Sequence, residues 1–143
     1  MKVGILTNND GSIAVISPVQ GTPEDQLDAV FAQANPDNLP LAVIDHTDLP
    51  KDRTFREAWT FDGKCAIIDK NKADTIQMDR LRVIRNEKLA SLDVDMIRAM
   101  ETNDTKNIQE IKDLKQQLRD IPQTEDLSKI SIDELPDYKP DYL

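Results

Sequence analysis

The pattern of apolar residues changes character at Asp69, and that change constrains the fold more than any other feature of the chain. Before it, apolar residues alternate in short runs separated by turn formers. After it, they recur at helical spacing for about fifty residues. Val3 and Ile5, then Ile13 and Val15, alternate across Asn8-Asn9-Asp10-Gly11, whose residues tolerate positive φ, so a β-hairpin is expected. Thr22-Pro23-Glu24 opens a helix with Pro at its first position and carboxylates near its positive end. Leu27, Val30 and Phe31 form its apolar stripe, and Asn35-Pro36-Asp37 ends it. Leu41–Ile44 reads as a strand, and Trp59–Phe61 with Cys65–Ile68 as a second hairpin turning at Asp62-Gly63. Residues 1–69 are therefore expected to form a small α+β domain, with an antiparallel sheet and one helix.

Asp69 can cap a helix running to about Ala90, with Met78, Leu81, Leu89 and Leu92 on one face. Ile76 and Val83 lie on a second face, so this helix is expected to touch two neighbours. Ser91-Leu92-Asp93-Val94-Asp95 reads as a break with a fresh cap. Met96, Ile97 and Met100 would follow in a short helix. Asp104 or Thr105 caps another, along which Ile111, Leu114, Leu118 and Ile121 step by 3, 4 and 3, a narrow seam of the kind that packs on a partner helix. Residues 70–121 thus form a helical region of two to three helices. Residues 122–143 carry six carboxylates against two lysines, and Pro136 and Pro140 forbid a continuous helix. That acidic, Pro-rich segment is expected either to fold back on its own body or to be disordered when free and run extended on a partner, anchored through Leu135, Tyr138 and Tyr142 together with the seam Ile111, Leu114, Leu118 and Ile121.

Composition narrows the function classes. The formal net charge is −9, which disfavours binding to phosphate backbones, since that affinity comes from Lys and Arg. The 38% apolar content lies below the roughly 45–50% usual for globular chains, consistent with burial shared with a partner. No apolar run approaches the ~18 residues of a membrane span, and Met1-Lys2-Val3-Gly4 lacks a signal peptide's apolar region. Cys65 and His46 are single, which excludes a disulfide framework and a Cys- or His-rich metal site. Residues 69–74 begin like a calcium loop, but Ala73 takes a ligand position and Arg80 stands where a Glu is required, so a helix cap is the reading. The four glycines form no phosphate-binding cluster. No catalytic, metal or cofactor-binding residue is nominated. Acidic mimicry of nucleic acid stands as a further function class, weakened by the mixing of 18 basic residues among the acids.

Three stretches carry a resemblance. They are Asp48-Leu49-Pro50-Lys51-Asp52-Arg53-Thr54-Phe55-Arg56-Glu57-Ala58-Trp59, then Leu92 to Glu101 with Asn103-Asp104, then Lys115-Gln116-Gln117-Leu118-Arg119-Asp120-Ile121-Pro122. Together they resemble the short accessory tail proteins of tailed bacteriophages and prophages, and the last is also similar to the end of tail assembly chaperones. The resemblance covers roughly residues 41–122. It implies a non-enzymatic structural role in the virion tail, docked on tail-tip or fibre subunits, or an assembly role in the host cytoplasm. The partners it implies are other tail proteins of the tip hub or fibre; a homo-oligomer stays open, and the charge and hydropathy of the chain speak against nucleic acid and membrane. Physically, residues 48–59 read as a joint: Thr54 caps a single turn, Phe55 and Trp59 face inward, and Arg53 and Arg56 face out.

Overall fold

A computed structural model describes residues 1–143 and has the expected α+β class. The chain divides into two compact units, Met1–Ala73 and Asp74–Leu143.

In the first unit, β1 (Lys2–Thr7) pairs antiparallel with β2 (Ile13–Ile16) on one side and β3 (Leu41–Asp45) on the other, giving the order β2-β1-β3. The hairpin turn is closed by the Asn8 amide on the Ser12 carbonyl at 2.8 Å, with Gly11 at φ +81°. Gly11 suits that conformation because it lacks a Cβ. Between β2 and β3 the chain makes a short turn of helix at Glu24–Gln26 and then α1 (Leu27–Gln33). Phe31 of α1 is fully buried and lies over Gly4, where an added Cβ would come within 2.9 Å of its ring. On the strands, Val3, Ile5 and Ile44 form a core against which Ile13, Val15, Ala42, Leu49 and Phe61 pack. The five strands do not make one sheet. β4 (Trp59–Phe61) and β5 (Ala66–Ile68) pair only with each other, three residues to a strand.

The expected joint is present in altered form. Phe55 and Trp59 are buried and Arg53 and Arg56 exposed. The single turn spans Arg56–Ala58, preceded by Phe55 and without a side-chain cap, so Thr54 does not cap it; instead the Thr54 amide and hydroxyl donate to the Asp52 carboxylate at 2.8 and 2.5 Å, closing the turn just before it. The same Asp-x-Ser/Thr turn recurs at Asp10/Ser12, Asp45/Thr47 and Asp126/Ser128. At all four, hydrogen bonds to the carboxylate hold its pKa below the ordinary value.

The helix α2 (Lys70–Glu101) starts at the end of the first unit, where Asp69 caps it as expected, accepting from the Asn71 and Lys72 amides, and continues as the first element of the second unit. The expected break at 91–95 is absent. That stretch holds neither Pro nor Gly, and its capping residues do not interrupt a helix whose faces pack on both sides of them. The chain turns at Asn103 (φ 54°), Asp104 caps α3 (Thr105–Arg119), and the two helices are tied by an ion pair between Lys115 and Asp93. A groove of about 400 Å³ between them is lined by Leu92, Asp95, Arg98, Asn107, Glu110, Ile111 and Leu114. Residues 122–143 are not an extended strap. They follow α4 (Ile121–Thr124) with two further single turns, Leu127–Lys129 and Leu135–Asp137, and belong to the same compact unit as α3.

Candidate functional site

The seven residues expected to meet a partner instead close this unit. Ile111, Leu118, Ile121 and Leu135 are buried, and Leu114, Tyr138 and Tyr142 are half-buried. The correction has a physical cause: the 122–143 segment supplies Leu127, Leu135 and Pro140 as buried apolar groups, so the α3 seam is covered by the chain itself.

Polar contacts then fasten the segment. Glu125 accepts a hydrogen bond from the Tyr138 hydroxyl and a second, at 2.9 Å, from the Tyr142 hydroxyl. The Tyr138 carbonyl accepts from the Gln77 side chain of α2 at 3.0 Å, and the Tyr142 carbonyl accepts from Lys88 at 2.5 Å. The bond to the Glu125 carboxylate, then burial, push the Tyr138 phenol up to about 12. Burial and the same carboxylate raise Tyr142. The signal for this latch was present as a tandem Pro-Asp-Tyr at 136–138 and 140–142, which sequence reasoning passed over.

What remains open is the outward face of α2. Ile76, Val83, Ala90 and Ile97 are seven apart and drift by only about 20° per step on a straight helix, with Val94 beside them. Val83 is 60% exposed, Val94 48%, Ile97 58% and the flanking Met100 59%. The second face was expected to touch a neighbour, but from Val83 onward it is open. Reading 91–95 as a break had hidden the continuity of the stripe. The face opposite carries Gln77, Leu81 and Ala99, all buried, so α2 is apolar on two sides and only weakly amphipathic.

The remaining chemistry is local. His46 shares a cleft of about 320 Å³ with Thr47, Leu49, Pro50, Lys51 and Arg53. The Thr47 hydroxyl there donates to Asp45 at 3.0 Å. Cys65 lies in the turn before β5 rather than inside a strand, half-buried, with its Sγ 3.6 Å from an Asp62 oxygen. Partial burial, then the Asp62 charge, push its thiol up and away from the reactive thiolate. No three His, Cys, Asp or Glu side chains converge to hold a metal ion, and no helix is long and apolar enough to cross a membrane. Comparison of the chain with family models, with curated proteins and with solved structures found no match.

Proposed function

We propose that this chain is a non-enzymatic accessory protein of a phage tail, docking on tail-tip or fibre subunits, and that its incorporation depends on the outward stripe of α2. One observation carries the reading. The chain buries most of the α3 seam on itself, yet leaves Val83, Ala90, Val94 and Ile97 in water along one helix face. A contiguous exposed apolar surface of that kind marks an interaction site more often than ordinary surface. The resemblance at residues 48–59, 92–104 and 115–122 supplies the viral-tail setting. Mass spectrometry of purified particles from cells producing the chain is the test. The expected result is its presence in the particles and its loss with Val83→Asp/Ile97→Asp. Presence in lysate but not in particles would transfer the reading to an assembly chaperone. Retention of the double variant in particles would show that incorporation does not depend on α2.

A further inference from the structure

We propose that the occupant of the α2 stripe is a second copy of the chain, its own α2 running antiparallel. The inference rests on the reading of that stripe as an association surface and names what covers it, so that a pair of chains, joined through α2, is what meets the tail.

The charges that share the stripe decide the direction. On an ideal helix Lys72, Asp79, Glu87 and Glu101 fall on the same face as Ile76, Val83, Ala90 and Ile97. A parallel pair in register would set each of these charges level with its own copy, four like-charge meetings along one seam. An antiparallel pair with Ile76 level with Ile97 of the other copy changes every meeting. Val83 then stands level with Ala90, Lys72 with Glu101, and Glu87 with the amide of Asn86. Asp79 stands level with Val94 and meets no like charge. The apolar sizes match as well: Ile against Ile at both ends, and Val against Ala twice in the middle, where the small Ala admits close approach. The seam from Ile76 to Ile97 is about 32 Å long, three heptads of two-helix packing.

The charge pattern of the whole helix points the same way. Residues 70–88 carry six basic and three acidic side chains, and residues 89–101 carry one basic and three acidic. That order opposes the helix's own dipole, which favours acids at the N-terminus and bases at the C-terminus. A second helix running the other way brings each half against charge of opposite sign.

Sedimentation equilibrium of the full chain, with disulfide trapping on a Cys65→Ser background, tests this. The expected result is a dimer that Val83→Asp/Ile97→Asp converts to monomer with unchanged helical circular dichroism, both positions being exposed. A mixture of Ile76→Cys and Ile97→Cys chains should trap as a mixed disulfide, while Ile97→Cys alone should not. Lys72→Glu should weaken the dimer about tenfold, and adding Glu101→Lys should restore it. Efficient trapping of Ile97→Cys with itself would overturn the antiparallel arrangement. A monomer at every concentration would overturn self-pairing. If the monomer still joined particles in a stripe-dependent way, docking through α2 would stand without it. A dimer whose stripe variants remained in particles would keep self-pairing and end the reading that incorporation depends on the stripe.

Discussion

The two units of this molecule are closed by different means. In the first, Val3, Ile5 and Ile44 meet across adjacent strands whose backbone ladders already fix their register, and the core needs little from elsewhere. In the second, α2 and α3 are joined by buried Leu127, Leu135 and Pro140 from a segment 54 to 61 residues beyond its anchors Gln77 and Lys88 on α2, with Glu125 tying the segment to itself. A core closed locally resists single changes outside it. A core closed by a distant segment inherits that segment's attachments.

Removing residues 123–143 breaks the comparison most severely. It takes away the buried Leu127, Leu135 and Pro140, and the expected outcome is loss of the helical signal of α2 and α3 while the sheet unit keeps its amide-exchange protection. Equal protection of both units after truncation would show that the segment is dispensable. Leu135→Ala, which empties a fully buried site without removing the chain, should cost about 2–5 kcal/mol in denaturant unfolding of the second unit. Gly4→Ala strikes the first unit where it is tightest, against the Phe31 ring, and should cost about 1–3 kcal/mol. A pair of sensitive transitions, one answering to each variant, would sharpen the division at Ala73.

The smaller effects fall on the latch and the thiol. Tyr138→Phe leaves Tyr142 on the Glu125 carboxylate and should cost about 0.5–1 kcal/mol, the low end for a hydrogen bond that solvent reaches. The pH dependence has a definite sign. The Tyr138 pKa is raised from 10.0 to about 12, so its contribution is complete below 10 and is lost as pH rises through that window. Tyrosinate absorbance should therefore show both phenols titrating above the ordinary value, and Tyr138→Phe should remove the Tyr138 share and leave that of Tyr142. Cys65 should alkylate slowly at neutral pH, and Asp62→Asn should speed it by removing the neighbouring charge.

The first unit was legible because its determinants are local. Alternation at Val3/Ile5 and Ile13/Val15, the turn residues at 8–11 and the cap Asp69 all act within a few positions. The division of five strands into two sheets was not legible, since nothing in residues 59–68 records which neighbour a three-residue strand pairs with. In the second unit the seam at Ile111, Leu118 and Ile121 was read correctly as apolar, but what covers it depends on how far a Pro-containing segment can fold back. The outward stripe of α2 was half visible, as Ile76 and Val83. Its lower half was obscured by taking Ser91 and Asp93 for caps, although no Pro or Gly stands there to stop the helix.

The latch at Tyr138 and Tyr142 sets a timetable for synthesis. Chains emerge N-terminus first, so the sheet unit can complete itself while the ribosome is still making α2. The second unit has no such advantage: its buried Leu127, Leu135 and Pro140 are translated after both helices, which wait without them until then. Slow codons placed among residues 120–143 would lengthen that wait, and would raise aggregation of this protein more than the same codons placed among the strands.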